Sequence, residues 1–368
     1  MKIFQTIILP LLYLGLVVLA TIYLSRRYAL FFNALSLTAS YWFFSLLVLG
    51  ALVASLFMTM TTSGLGHFIY MFSGILFGYL TYLLLSTLAI DFLGLFIKIR
   101  PLYMGLGSIV LAMLITIYGL IQARDIKLTN TDIALKGLSR PVKAVHLTDT
   151  HLGHYRGKDF FQRVMDITKK QNPDIIFFTG DLFDATWALD DSYLNPLIDL
   201  NIPFYFVEGN HDIYTGIEEI KEMVKSKGGI VLENEVTNWG EIQIVGLNHM
   251  LADENTYDPH VTGEKGTVKS VLPSLEIDSE KPTILLHHSP DGDKYAHKVG
   301  VDLYLAGHTH GGQMFPGTLF AEMLFKYNKG LYDYENMKIF VCLGVGTFGP
   351  PLRVGTYSEI TVLNLVPK

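Results

Sequence analysis

The chain has 368 residues, half of them hydrophobic, with a net charge of −6 and a single cysteine. This composition excludes an ordinary soluble protein, because the apolar excess falls in the first third. Up to residue 121 the chain carries five basic residues and one acidic residue, so this part has a net charge of +4 and the remainder −10. One cysteine excludes a disulfide framework and a Cys-rich zinc module. The acidic remainder offers no basic track, so we expect no nucleic-acid partner.

The first third of the chain is predicted to cross a membrane four times. About 20 apolar residues in a helix span a hydrocarbon core of roughly 30 Å. Four such runs occur, at residues 4–24, 41–60, 67–96 and 102–121. We therefore expect a transmembrane region over residues 1–122, and we disfavour a signal peptide because further apolar runs follow the first. Asp91 in the third run either marks the end of the apolar zone or faces a neighbouring helix.

Basic residues predict the orientation of these spans. Four of them follow the first and third runs: Arg26, Arg27, Lys98 and Arg100. Lys2, Arg124 and Lys127 weigh on the other side, and the turn between the second and third runs has no charge. Basic turns tend to stay cytoplasmic. We therefore expect a multi-pass protein of the cell membrane, with the lipid bilayer as a partner and the C-terminal domain extracytoplasmic.

The rest of the chain is predicted to be an α/β domain. Residues 123–140 form a polar connector that begins the soluble part as an edge strand, and the domain covers residues 141–368. Short apolar strands alternate with helical or loop segments, which favours a layered architecture. Strands are predicted at residues 142–148, 174–179, 203–207, 241–247, 283–287, 302–306, 338–343 and 359–365. Helices are predicted at residues 158–170, 193–200 and 216–227.

Five of these strands are followed by side chains that bind metals. They are Asp149 and His151, then Asp181 and Asp184, then Asn210, His211 and Asp212, then His287 and His288, and finally His308 and His310. Ligands of open α/β sheets gather outside the carboxyl ends of the strands. We therefore expect these side chains to converge. Carboxylate, amide and imidazole ligands together suit Mn, Fe or Zn. They exceed what one ion needs, which predicts two divalent ions that share a carboxylate.

The motifs in this order resemble the calcineurin-like metallophosphoesterase superfamily. They are Asp-x-His, Gly-Asp-x-x-Asp, Gly-Asn-His-Asp, an isolated His after a strand, and Gly-His-x-His, over residues 141–365. The extended motif Gly307–Gln313 and the apolar N-terminal part resemble a membrane-bound subgroup. That subgroup includes transmembrane proteins with a metallophosphoesterase domain and enzymes similar to UDP-2,3-diacylglucosamine pyrophosphohydrolases. The resemblance implies a four-layer α/β/β/α domain.

The resemblance also implies a ligand set. One metal would be held by Asp149, His151, Asp181 and His310, and the other by Asp181, Asn210, His288 and His308. Asp181 would be shared by the two ions. His288 is preferred to His287, because adjacent strand residues face opposite sides and His-Ser-Pro matches the family's His-x-Pro.

Further residues are implied to act on the substrate. His211 would contact the phosphate and protonate the leaving group, and Asp212 would orient His211. Asp184 is either a capping residue or a partner of the site. His249 and Arg353 are candidate substrate contacts, and a structural ion pair is the alternative for Arg353.

The sequence thus predicts a membrane-anchored, two-metal phosphoesterase that hydrolyses a phosphodiester or pyrophosphate. The spans favour a lipid-linked substrate, such as a UDP-diacylglucosamine-like molecule. The apolar residues between Phe315 and Phe325 either form an apolar lip that would suit an acyl chain or take part in ordinary packing. One alternative is a broad phosphodiesterase with a soluble substrate. Another is a metal-binding sensor without turnover, which is disfavoured because every ligand position and His211 are present.

Overall fold

The computed structural model describes residues 8–57, 61–198, 200–256 and 262–368. The chain divides into two compact units. The first unit comprises Met1–Ile121 with Gly349–Leu352, and the second comprises Gln122–Phe348 with Arg353–Lys368. Parts of the predicted spans at residues 4–7 and 58–60, and residue 199 of a predicted helix, lie outside the described residues.

The first unit is built from four long apolar helices. They are α1 (Leu9–Phe31), α2 (Leu37–Phe57), α3 (Gly64–Gly94) and α4 (Pro101–Gln122). Each is long and apolar enough to cross a membrane, and together they correspond to the four predicted spans. The buried positions of α3 and α4 include small residues, among them Gly74, Gly78, Ser108 and Ala112. Small residues let apolar helices approach closely.

The end of the first span differs from the prediction. Arg26 and Arg27 were expected in the turn after it, but α1 continues to Phe31 and contains both. The guanidinium of Arg27 lies 2.5 Å from the carboxylate of Asp91 in α3. The Tyr23 hydroxyl donates to the same carboxylate. Asp91 therefore faces a neighbouring helix, and the ion pair lets an arginine remain within α1.

The described part of the second unit contains twelve strands in two sheets. They are β1 (Ile126–Leu135), β2 (Val142–Leu147), β3 (Ile175–Thr179), β4 (Phe204–Val207), β5 (Ile230–Val231), β6 (Glu235–Trp239), β7 (Ile242–Gly246), β8 (Thr283–Leu286), β9 (Leu303–Ala306), β10 (Gly330–Tyr334), β11 (Met337–Val341) and β12 (Ser358–Pro367). The first sheet has the order β1-β12-β2-β3-β4-β5, and the second has the order β10-β11-β9-β8-β7-β6. The predicted connector at residues 123–140 therefore contains an edge strand.

Five α-helices lie in the part of the second unit that the structure describes. They are α5 (Lys158–Lys169), α6 (Asn210–Ser226), α7 (Val268–Val271), α8 (Asp293–Lys298) and α9 (Gly317–Leu324). The helix predicted at residues 193–200 is instead a 3-10 helix at Asp191–Leu197 with Pro196 inside it. The helix predicted from Gly216 begins at Asn210 and is kinked at Gly216, where φ is 139°.

The two sheets pack face to face and helices cover their outer faces. In β3, Ile175 and Phe177 join the core between the sheets, whereas Ile176 and Phe178 join the core under α5 and α6. This alternation follows from the period of two in a strand. A third core, which includes Val268 and Ala296, lies under α7 and α8. The predicted four-layer α/β/β/α fold is confirmed.

The topology brings strand ends together. In the first sheet β2, β3 and β4 are mutually parallel, and in the second sheet β7, β8 and β9 are parallel. Parallel strands end at the same edge of their sheet, so the turns that follow them meet there.

Candidate metal centre

The predicted ligands are carried by abrupt turns at the ends of strands. Five of the seven have a left-handed backbone: Asp149 (φ 54°), His151 (48°), Asp181 (56°), His308 (71°) and His310 (49°). This conformation costs a residue other than glycine about 1–3 kcal/mol and is concentrated at functional sites. The turns therefore hold the ligands in a geometry that the local sequence does not favour.

Two glycines allow these turns to pack on the carboxylates. A Cβ atom on Gly307 would lie 2.3 Å from Oδ2 of Asp149, and one on Gly209 would lie 2.2 Å from Oδ1 of Asp181. Any other residue at these positions would displace a carboxylate. The backbone amide of His308 donates to the carboxylate of Asp149, and that of His211 donates to Oδ1 of Asp181 at 2.8 Å.

One cluster joins Asp149, His151 and His310. The Nε2 atoms of His151 and His310 lie 3.0 Å apart. Oδ1 of Asp149 lies 3.2 Å from Nε2 of His310 and 3.8 Å from Nε2 of His151. All three side chains are buried. The nitrogen and oxygen atoms of this cluster point at one another across a distance that a divalent ion bridges.

A second cluster joins Asp181 and His288. Nε2 of His288 lies 3.2 Å from Oδ2 of Asp181, and this same oxygen lies 3.7 Å from Nε2 of His151. Single ligand atoms of Asp149, Asp181 and His288 all lie within 4.8 Å of one another. Beside them, Nδ1 of His308 lies 3.1 Å from the amide oxygen of Asn210. Asp181 therefore contacts a histidine of each cluster, His151 in the first and His288 in the second.

The charges of the clusters fit divalent cations. Asp149 and Asp181 are buried, and among the residues that the structure describes, their ion-pair partners are histidines. Buried carboxylates are normally paired with a cation or bound to a metal. Carboxylates, imidazoles and an amide oxygen form a donor set that Mn, Fe and Zn accept. The residues present therefore fit a pair of such ions.

Burial and the clustered charges shift the pKa values of the three histidines in opposite directions. Burial lowers the pKa of His151, but the carboxylates of Asp149, Asp184 and Asp181 outweigh it and raise this pKa to about 10. Burial likewise opposes the Asp181 carboxylate at His288, whose pKa rises to about 9. For His310 burial prevails and lowers the pKa to about 4. The carboxylates thus favour positive charge beside them, at His151 and His288 more than at His310.

His211 is oriented by a different aspartate from the one predicted. Oδ1 of Asp184 lies 2.6 Å from Nδ1 of His211 and 3.5 Å from Nδ1 of His151. The carboxylate of Asp212 instead accepts hydrogen bonds from the backbone amides of Phe183 and Gly209. Asp212 therefore caps the start of α6, and the carboxylate in contact with His211 is that of Asp184.

Arg353 does not lie where a substrate contact would. Its side chain is 0% exposed, and Nη2 donates to the carbonyl oxygens of Leu343, Gly344 and Gly346 at 2.8–2.9 Å. Nη2 also lies 3.2 Å from Nδ1 of His310. The guanidinium holds backbone carbonyls and a predicted ligand instead of facing the cleft. The predicted ion pair is also replaced, because these acceptors are backbone carbonyls.

His249 is also buried behind the centre. It is 0% exposed, and its ring lies 5.7 Å from that of His288 and 5.9 Å from that of His308. Such a position supports the ligand side chains and offers no surface to a substrate. The predicted substrate contact at His249 is not supported.

One exposed aromatic residue at the centre was not predicted from the sequence. The ring of Phe348 lies 5.0 Å from that of His310 and 6.3 Å from that of His211, and the residue is 41% exposed. The side-chain amide of Gln313 exchanges two hydrogen bonds with the backbone of Phe348. Phe348 is therefore a fixed aromatic wall beside the predicted acid.

The second unit matches a known family profile. The profile described as calcineurin-like phosphoesterase covers residues 142–312. An uncharacterized metallophosphoesterase of Aquifex aeolicus is 30% identical over 62% of this chain and 86% of its own length. The match to a transmembrane protein with metallophosphoesterase domain of Danio rerio is 32% identical and covers 70% of this chain and 62% of that protein.

Other relatives are matched over part of their length. An uncharacterized metallophosphoesterase of Campylobacter jejuni is 32% identical over 65% of this chain, and the match spans 63% of that protein. Among solved structures, a dimetal phosphatase from Danio rerio matches with 10% identity and a TM-score of 0.38. The match covers 62% of this chain and 99% of that chain. A likeness this distant carries no argument about substrate.

Proposed function

The chain belongs to the calcineurin-like metallophosphoesterase family, and on this premise we propose that it is a membrane-anchored, two-metal phosphoesterase. Residues 1–122 would form the membrane region, residues 123–140 a connector and residues 141–368 the catalytic domain. The observation that carries the proposal is the carboxylate of Asp181, whose Oδ2 lies 3.7 Å from His151 and 3.2 Å from His288. A shared carboxylate of this kind is what a pair of ions requires.

We assign the ligands as the sequence predicts them. Asp149, His151 and His310 with Asp181 would hold one ion, and Asn210, His288 and His308 with Asp181 the other. When bound, the two cations supply the positive charge that polarises a phosphate ester and activates water. Mn, Fe and Zn all fit this donor set.

The chain's own residues would position the substrate and supply a proton. Asp184 holds Nδ1 of His211 at 2.6 Å, which leaves Nε2 of His211 to donate a proton to the leaving oxygen. His211 retains some exposed side chain, so a substrate reaches it, whereas Asp184 is largely buried behind it. Phe348 closes one side of this position and restricts the orientation of the leaving group.

The substrate that we propose is a phosphodiester or pyrophosphate linked to a lipid, such as a UDP-diacylglucosamine-like molecule. The four apolar helices support a location in a membrane, where such a substrate would reside. We further propose the cell membrane as the location and an extracytoplasmic catalytic domain. The charge distribution supports this side, since Lys98 and Arg100 precede α4.

The experiment is hydrolysis of bis-p-nitrophenyl phosphate by the full-length protein with Mn²⁺. The wild type should hydrolyse it, and Asp181→Ala should have only background activity. Asp132→Ala, at an exposed position of β1, is the matched control and should stay active. Full activity in Asp181→Ala would refute the metal centre. A second comparison, of a lipid-linked pyrophosphate with a soluble diester, tests the substrate separately.

A further inference from the structure

Helix α9 presents an unusual apolar surface. Leu319, Phe320, Met323 and Leu324 are 51%, 58%, 80% and 72% exposed, whereas Ala321 faces inward and is buried. Their spacing of one and four residues puts them on one side of the helix. We call these four residues the α9 surface. Its aliphatic and aromatic side chains are exposed next to one another, which would be unfavourable in water.

The rest of the second unit shows no comparable feature among its described residues. Its other exposed large apolar side chains, such as Leu128, Ile198 and Ile230, lie singly along the chain. Phe315, 42% exposed, precedes α9 and extends the same segment. The apolar exposure of this unit is therefore concentrated in residues 315–324.

The charged residues near helix α9 do not oppose burial of the α9 surface in lipid. The helix carries one charged residue, Glu322, and its carboxylate lies 3.1 Å from Nζ of Lys329. Lys326 just beyond the helix pairs with Asp293. The basic residues thus lie at the border of the α9 surface, where they can face lipid headgroups while the apolar side chains enter the acyl region.

The α9 surface is close to the metal centre along the chain. The helix begins five residues after the predicted ligand turn that ends at Gly312, and Phe325 follows it directly. The ring of Phe325 lies 6.1 Å from the ring of His308. Whatever covers the α9 surface therefore also lies close to His308.

We infer that the α9 surface docks on the lipid bilayer. The chain carries four helices that are long and apolar enough to cross a membrane, so it brings its own apolar phase. The helices would tether the second unit to the bilayer, so the local concentration of the bilayer is high and a small surface suffices for docking. The contact would hold the metal centre at the depth of the headgroups. This inference goes beyond the proposed hydrolysis and does not depend on it.

The test is the accessibility of spin labels in the full-length protein, reconstituted in phosphatidylcholine nanodiscs. A label is attached at Met323→Cys, and Ile230→Cys, another exposed apolar position of the same unit, is the matched control. Cys342 is buried, and wild-type protein treated with the same labelling reagent checks that Cys342 does not react. Collisions are measured with oxygen, which enters lipid, and with a water-soluble nickel chelate.

We expect the label at position 323 to meet the nickel chelate several-fold less often, and oxygen more often, than the label at position 230. Adding Phe320→Glu should restore access of the nickel chelate to position 323 while thermal unfolding stays as in the parent. Two results overturn the inference. High access of both reagents means that the α9 surface faces water, and low access of both means that protein covers it, whether a second copy or the chain itself. Neither measurement involves catalysis.

Discussion

The two sheets contribute different chemistry to the metal centre. The turns after β2, β3 and β4 of the first sheet supply two carboxylates, an amide oxygen and one imidazole from Asp149, Asp181, Asn210 and His151. The turns after β8 and β9 of the second sheet supply only imidazoles. The first half therefore carries the negative charge, and the second half contributes imidazoles without a carboxylate.

The two halves are also held to each other. Nδ1 of His288 in the second sheet lies 2.7 Å from the carbonyl oxygen of Thr179 in the first, and the amide of His308 contacts the carboxylate of Asp149. Each of the two proposed ion sites draws ligands from both halves. The comparison shows that the centre depends on the packing of the sheets as much as on the ligands, and each prediction below tests one side of it.

The largest effect should come from the carboxylate shared by the clusters. Asp181→Ala removes a ligand of both proposed ions, whereas His288→Ala removes a ligand of one. We expect Asp181→Ala to lose activity and bound metal completely, and His288→Ala to lose activity but keep part of its metal. Metal content of the purified full-length variants, measured by mass spectrometry, tests this difference. Equal metal content in the two variants would contradict the sharing of Asp181.

Asp184 should matter for catalysis more than for metal content. Asp184→Asn keeps the shape of the side chain but weakens its contact with His211 and His151. Loss of a partner that orients a ligand or an acid lowers activity by about 10–100-fold. The measurement is kcat and metal content with a soluble diester. Asp191→Asn, at an exposed position, is the control, and an unchanged kcat in Asp184→Asn would return the orienting role to Asp212.

Arg353 tests the support of the second half. Arg353→Lys keeps the positive charge but cannot reproduce the contacts of the guanidinium with three carbonyls and His310. Buried acceptors left without donors cost about 1–3 kcal/mol. We expect a lower melting temperature and a reduced kcat. If stability is unchanged and only KM rises, Arg353 contacts the substrate after all.

The smallest effect concerns a brace near the second half. The Tyr295 hydroxyl is the main group that lowers the pKa of Asp253, and the Asn255 amide and Lys294 help to outweigh the opposing effect of burial. Because this pKa is lower in the folded than in the unfolded state, the carboxylate stabilises the protein at neutral pH, and this contribution is lost as the pH falls below about 4.

Asp253→Asn should therefore lower the melting temperature at neutral pH, and the difference from the wild type should shrink in acid. Thermal unfolding of both proteins at several pH values measures it. Asp333→Asn, which alters an exposed aspartate of β10, is the control. A difference between Asp253→Asn and wild type that does not change with pH would contradict the assignment.

Much of the fold was readable in the sequence where strands are buried. The predicted strands at residues 203–207, 283–287 and 302–306 match β4, β8 and β9 to within one residue, because each is an apolar run that ends at a polar turn. By contrast, β6 and β10 have no fully buried residue and lack such a run, so they were missed. The start of α6 was missed because Asn210-His211-Asp212 reads as a loop until the capping role of Asp212 is known.

The residues of the candidate site were predictable from the sequence, but the contacts between them were not. The order of the motifs identifies the ligand residues, since it is a property of the sequence itself. Asp184 and Asp212 lie on either side of His211 in the sequence, and nothing local decides which carboxylate meets the ring. That choice is made by the turn after β3, where Asp181 adopts a left-handed backbone. The burial of Arg353 likewise depends on distant packing.

The left-handed turns have a consequence for how this chain could change over generations. Asp149, His151 and His310 occupy backbone conformations that glycine would adopt with less strain. A descendant that no longer needed metal would gain stability by such replacements, so drift would erase these three positions early. Their persistence in a homologue is therefore a more sensitive sign of retained chemistry than the survival of its hydrophobic core.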